Sequence, residues 1–270
     1  YATRPALGEA GDFVTAPLVS QMFGELIGVW AASAWTLMGE PERFQLVEIG
    51  PGDGTLMDDL LRAGRALPGF LAAADVWLVE TSAPLAAKQA ERLGGRVRWA
   101  GSLDDVPGGE PMLLVANELL DCLPARQFVR TAVGWTEQVV GLDDAGRLSF
   151  GLVPASQPLP DARDGEVVEV SGAQAALGTA LGERLARDGG AALLIDYGRA
   201  APGFGDTLQA LRRHEKVDPL DCPGEADLTV HADFPAVMAA AEQAGAAAAI
   251  LTQAEFLARM GIGERAEALV

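Results

Sequence analysis

The sequence predicts an α/β fold: a mostly parallel sheet covered by helices on both faces, with an antiparallel β insertion. Three observations support it. The runs "FQLVEIG" (44–50), "DVWLVET" (75–81), "PMLLVANE" (111–118) and "AALLIDYG" (191–198) are apolar throughout and alternate with helical patterns. Strands with both faces apolar belong in a sheet buried on both sides. The first run ends in three glycines within five positions, "GPGDG" (50–54), which marks a tight strand-to-helix turn. The stretch 125–153 instead alternates polar and apolar residues, and its "LDDAGR" is a hairpin signal.

Taken in order, 16–39 repeats apolar residues at helical spacing through Met22, Leu26, Val29 and Trp30. Pro17 suits its start; Gly39 and Pro41 suit its end. The strand 44–50 leads into an amphipathic helix, 55–67. Strand 75–81, helix 83–94 and strands 96–101 and 111–118 follow. The block 125–155 is expected as a β-rich insertion rather than a domain, and 154–165 as a loop. Helix 173–187 leads into strand 191–198, and a final helix and strand close the sheet. Residues 1–270 are thus expected to form a single domain, with a lid and helix region at 1–40.

With 270 residues, 49% of them hydrophobic, the chain can bury a substantial core. Its 38 acidic and 20 basic residues leave a net charge of −18. Such a surface repels nucleic acid and anionic lipid and favours a basic partner. No run of about 18 uncharged apolar residues exists, so no membrane span is expected. Cys122 and Cys222 form no CxxC pair and are expected as small buried thiols. Two histidines, His214 and His231, are too few for a zinc site, and both are expected as surface or core residues. The opening "YATRPALG" has no Met or basic leader, which fits a piece of a longer protein.

The glycine loop limits the ligand. A dinucleotide fingerprint G-x-G-x-x-G would place its third glycine at 55, where Thr55 stands. No phosphate-binding G-x-x-x-x-G-K-[ST] run is present. The spacing Gly50-x-Gly52-x-Gly54, with Glu48 two residues ahead, resembles the first motif of class I S-adenosylmethionine (SAM) methyltransferases. Glu80, at the end of the next strand, can accept from both ribose hydroxyls. That acid would also suit NAD, so the glycine spacing carries the choice of SAM. By fold analogy the loop "AGSLDD" (100–105) flanks the adenine, through Ser102, Leu103 and Asp104. "GDFVTAP" (11–17) is read as a lid with Asp12 and Thr15 facing the cofactor. Bare turn and loop structure is the plainer reading of each of these segments.

"GDFVTAPLVSQMFGELIG" (11–28), "VEIGPGDGT" (47–55), "ANELLDCLPARQF" (116–128) and the long "DYGRAAPGFGDTLQALRRHEKVDPLDCPGEADLTVHADF" (196–234) occur in this order. Together they resemble the MidA-like family, which includes a mitochondrial respiratory complex I assembly factor, over about residues 1–260. The resemblance implies a class I SAM-dependent methyltransferase fold. For mitochondrial members it also implies methylation of an arginine on a complex I core subunit. Three positions depart from the family pattern: Leu18 stands for a frequent Glu, Arg199 for a frequent His, and Cys122 for a small Ala.

Methyl transfer from a sulfonium is an in-line displacement, so catalysis is largely placement of the nucleophile. A guanidinium, with a pKa of about 13.8, needs carboxylates to orient it and a route for its proton. Glu118 and Asp121, after the fourth strand, are the candidate guanidinium ligands, with Asn117 as an orienter; open α/β sheets bind ligands at this strand end. Asp196 and Tyr197 end the fifth strand and are candidates for the same pocket. Helix capping is the plainer role for Asn117, Glu118 and Asp196. The expected enzyme takes SAM, no metal and a protein substrate. It sits in the cytoplasm if bacterial and in the mitochondrial matrix if eukaryotic. The ribbon 125–153 is a candidate homodimer or partner surface. Rival readings are a small-molecule methyltransferase, a SAM-binding assembly chaperone without turnover and, more distantly, an NAD enzyme.

Overall fold

The computed structural model describes residues 17, 20–221 and 223–267. Helix α1 (Gln21–Leu37) begins where the Ser20 hydroxyl accepts the Met22 N–H at 3.2 Å. It stops ahead of Gly39, whose φ of +85° breaks the helix. Strand β1 (Phe44–Ile49) follows, then α2 (Thr55–Gly64), α3 (Pro68–Ala73), β2 (Ala74–Val79), α4 (Ala83–Leu93), β3 (Arg98–Ala100) and β4 (Met112–Asn117). Helix α5 (Gly172–Asp188) delivers β9 (Gly190–Ile195).

These strands form one parallel sheet in the order β3-β2-β1-β4-β9. The chain winds outward from β1 to β3, then crosses back to β4. The crevice between the ends of β1 and β4 is therefore the topological switch point, where such sheets bind ligands. In register, Ile49 pairs with Val79 and Asn117 with Ile195, so four strands finish on one edge. The turns that follow them, at 50, 80, 118 and 196, come together there.

Neighbouring strand residues face opposite sides, and both sides are covered. Leu46, Leu78, Leu113 and Val115 pack under α1 and α2 with Phe23, Ile27 and Trp35. Val47, Val79, Leu114 and Ala116 pack against Leu181 of α5.

The insertion is a four-stranded antiparallel sheet of β5 (Arg126–Thr131), β6 (Gly134–Leu142), β7 (Leu148–Pro154) and β8 (Val167–Val170), in the order β7-β6-β5-β8. At the expected hairpin, Asp143 Oδ1 accepts from the amides of Ala145 and Arg147, both at 2.9 Å. The fourth strand lies beyond the expected block 125–155. It closes the sheet against β5, where Gln127 Nε2 donates to buried Glu169 at 2.9 Å.

Beyond β9, β10 (Gly198–Arg199) pairs with β14 (Ala232–Asp233). A small antiparallel sheet of β11 (Gln209–Arg212), β12 (Glu215–Val217) and β13 (Asp227–Thr229) lies between them in sequence. Helices α6 (Phe234–Gln243), α7 (Gln253–Arg259) and α8 (Ile262–Glu267) end the described chain.

Two expectations are corrected. Among the described residues no strand follows α6: residues 246–252 join no ladder, and their alanines favour sheet poorly. Cys122 is exposed rather than buried, because its turn projects beyond the sheet edge. Cys222 lies outside the described residues. Among the described residues, no helix is long and apolar enough to cross a membrane.

Candidate functional site

At the switch point a cavity of about 240 Å³ opens between the glycine loop, the end of β2 and the turn after β4. Gly50, Gly52 and Gly54 all take positive φ, at +67°, +56° and +84°. A side chain at any of them would be strained. A Cβ on Gly50 would also come within 3.2 Å of Leu119 Cδ1, so the loop is a cradle that side chains would fill. Asp53 braces it, accepting the Thr55 amide at 3.0 Å and pairing with Arg92 at 2.8 Å.

Glu48 and Glu80 both line the cavity. Glu48 is 2% exposed and accepts the Met57 amide, a free donor of the first turn of α2. Its Oε2 has no hydrogen-bond partner among the described residues. Burial, and then the Asp53 charge, push Glu48 up to about 8, so it is mostly protonated at neutral pH. Glu80 Oε1 accepts the Ser82 amide at 2.7 Å, and Oε2 accepts Gln89 Nε2 at 3.1 Å. A carboxylate has about four acceptor sites, so capacity for two hydroxyls remains.

Sequence reasoning missed Gln89. It is fully buried; its Nε2 also donates to the Gly52 carbonyl at 2.8 Å, and its Oε1 accepts from Trp99 Nε1 at 2.9 Å. One amide thereby ties the glycine loop to the end of β2 and to β3. A signal existed: Leu85, Gln89 and Leu93 follow one another at four-residue spacing on a single helix face. A polar residue within an apolar stripe needs a buried partner.

The turn after β4 forms the other wall. Asn117 and Glu118 line the cavity, and Glu118 takes φ +50°, a left-handed conformation uncommon outside glycine. Asn117 Nδ2 donates to Glu118 Oε1 at 3.3 Å, while Asn117 Oδ1 is buried without a partner among the described residues. Asp196 holds this turn. Its Oδ2 accepts the amides of Leu120 at 2.7 Å and Asp121 at 3.2 Å, and its Oδ1 accepts that of Tyr197 at 2.7 Å. Gln174 of α5 adds a bond to the Leu120 carbonyl at 2.9 Å. Burial, and then the Asp121 charge, raise Asp196 to about 6.

The structure thus joins Glu48, Gly50, Gly52, Thr55, Glu80, Asn117 and Glu118 around one cavity; Pro17, Leu119 and Cys122 also line it. Gly54 closes the loop behind it as the α2 cap. Asp121 and Tyr197 line a smaller neighbouring cavity. Asp196 serves the turn from beneath. Ser102, Leu103 and Asp104 do not line the cavity: the Ser102 hydroxyl donates to Asp105 at 2.8 Å, Leu103 packs into the core beside Val106, and Asp104 is exposed. Asp12, Thr15 and Leu18 lie outside the described residues. Arg199 pairs with Asp233 and donates to the Gly203 carbonyl at 2.9 Å, clamping β10 to β14. His214 and His231 are both exposed.

A parallel sheet with a glycine cradle after β1 and an acid after β2 fits the class of SAM-dependent methyltransferases, and the comparisons with known proteins place the chain there, with SAM as its cofactor. Residues 26–252 match the family model described as "Putative S-adenosyl-L-methionine-dependent methyltransferase". The chain is similar to "Protein arginine methyltransferase NDUFAF7, mitochondrial" of Danio rerio, with 36% identity covering 100% of this chain and 71% of that one. The Homo sapiens protein of the same name is 37% identical, covering 100% and 68%. Among solved structures, a COG1565 superfamily member from Burkholderia thailandensis bound to S-adenosyl-homocysteine superposes with a TM-score of 0.81. It is 30% identical, covering 98% of this chain and 75% of that one. The chain belongs to this methyltransferase family, the MidA-like family that its motifs resemble.

Proposed function

We propose that the protein methylates an arginine side chain of a protein substrate, with residues 1–270 working as a single methyltransferase domain. The observation that carries this reading is the acidic turn Asn117–Asp121, which reaches the cofactor cavity through Asn117 and Glu118 and the smaller neighbouring cavity through Asp121, with Asn117 Oδ1 and Asp121 Oδ1 buried and unpartnered among the described residues. Buried acceptors without donors suit a ligand rich in N–H groups, and a guanidinium has five. The relatives named as protein arginine methyltransferases support the same substrate class. An arginine on a respiratory complex I subunit is the particular target suggested by the motif resemblance. The compartment would be the cytoplasm of a bacterium or the mitochondrial matrix.

When bound, SAM supplies an electrophilic methyl on a sulfonium. The amides of Gly52 and Asp53 would meet its polar end, since those of Gly50, Gly54 and Thr55 are held by Val79, Pro51 and Asp53, and Glu80 would accept its ribose hydroxyls. Glu118 and Asp121 accept N–H bonds from the guanidinium and aim one nitrogen along the S–CH₃ axis. These carboxylates would also take up the proton that the guanidinium nitrogen releases on methylation. Asp196 and Tyr197 act by holding the turn and walling its outer side.

The test is Glu118→Gln, which keeps the acceptor for Asn117 and removes the charge. Transfer of labelled methyl to arginine should fall by about 100-fold or more, with S-adenosylhomocysteine affinity unchanged. Undiminished transfer would sink the role; label on another residue type would sink the arginine reading.

A further inference from the structure

The smaller cavity beside the cofactor site, of about 130 Å³, lies on the outer side of the acidic turn. Three elements build it: Asp121 from the turn after β4, Tyr197 after β9, and Gln209, Thr229, Val230 and His231 from the small sheet β11–β13 and its exit. Gln209 and Thr229 are direct cross-strand partners, so their side chains share one face. The Val230 amide donates to the Asp121 carbonyl at 3.0 Å, and the Ala232 amide to that of Tyr197 at 2.9 Å, which fixes the walls together.

Two polar side chains here are more than nine-tenths buried, each with one oxygen left without a partner among the described residues. Asp121 is 7% exposed and Thr229 is 4% exposed, and neither Asp121 Oδ1 nor Thr229 Oγ1 has a hydrogen-bond partner among the described residues. Cys122 bonds to the Asp121 carboxylate. A buried acceptor left empty costs about 1–3 kcal/mol, so the arrangement suits a ligand that fills it. Burial above all, with the charges of Glu118 and Asp227 adding to it against the bond from Cys122, raises Asp121 to about 6. A cation entering the cavity would offset that repulsion.

We propose that this cavity is the guanidinium-recognition pocket: Asp121 Oδ1 and Thr229 Oγ1 accept N–H bonds from the target arginine, and the Tyr197 ring covers its planar face. The proposal rests on the arginine reading above and adds to it a specificity element, the β11–β13 sheet. At about half the volume of the cofactor cavity, the pocket fits a side-chain head group. Tyr197, 61% exposed, can close over a flat cation as such rings do.

The test titrates the full chain, saturated with S-adenosylhomocysteine, with N-acetylarginine amide and N-acetyllysine amide through the millimolar range, followed by NMR. The arginine compound should bind more tightly than the lysine compound. Asp121→Asn should weaken it by about tenfold and Thr229→Val by about fivefold, with Thr229→Ser restoring binding and S-adenosylhomocysteine affinity constant throughout. Equal binding of the lysine compound, no binding of the arginine compound, or variants that bind as wild type would overturn the pocket. The methylated residue is scored separately in the wild-type transfer assay. Label on arginine with any of those results removes only the pocket; label elsewhere removes the arginine reading too.

Discussion

Glu48 shows how one buried side chain couples the site to stability. Its carboxyl sits under the glycine loop, caps an amide of α2 and stays protonated to about pH 8. The unfolded chain releases that proton above about 4.5, so the folded state binds the extra proton between the two values. The stabilisation is fully present below about 4.5 and is lost as pH rises toward 8. Asp121 and Asp196, raised to about 6, follow the same sign but have titrated by then. Of these three carboxyls, Glu48 is the one that titrates in the window from 6 to 8. Glu48→Gln should flatten the fall of the unfolding midpoint across that window and raise stability at its upper end. Thermal melts at stepped pH check this; an unchanged slope would show that burial does not hold the proton. The positions of the glycine turn, Glu48 and Glu80 were legible in sequence because apolar runs mark where the strands end; their roles toward the cofactor are proposals. Gln89 was not legible, because its partners lie on other elements; for Asp196 the sequence offered a capping role but not the turn it caps.

Among the elements, the sheet was legible from its apolar runs, since strands buried on both faces leave no polar alternation. The strands β10 to β14 were not: each has four residues or fewer, too short for periodicity to register. The ribbon β6–β7 was visible as alternation, and its apolar face is exposed. Val140 pairs with Phe150 and Leu142 with Leu148, at 54%, 40%, 71% and 39% exposure. β7 is also an edge strand, so two copies can pair β7 to β7 about a two-fold axis. The expected result is a dimer by light scattering, converted to a monomer by Val140→Ser, Leu142→Ser and Phe150→Ser together. A monomeric wild type, or a dimer that survives the triple change, would contradict it.

For the whole molecule, the sheet edge organises function. Four strands end together, and the turns they carry bring a glycine cradle, the carboxylate of Glu80 and an acidic turn to one crevice. The net charge of −18 would favour a basic partner over an anionic one. The account stands or falls on the cradle being the cofactor site, because every other role is placed relative to it. The direct measurement is calorimetric titration of wild type and Gly52→Val with S-adenosylhomocysteine. Gly52 holds φ +56° and bonds through its carbonyl to Gln89, so a β-branched residue there must deform the loop. The account predicts binding by wild type and its loss in a variant whose melt is still cooperative; a folded Gly52→Val that binds as tightly as wild type would contradict it.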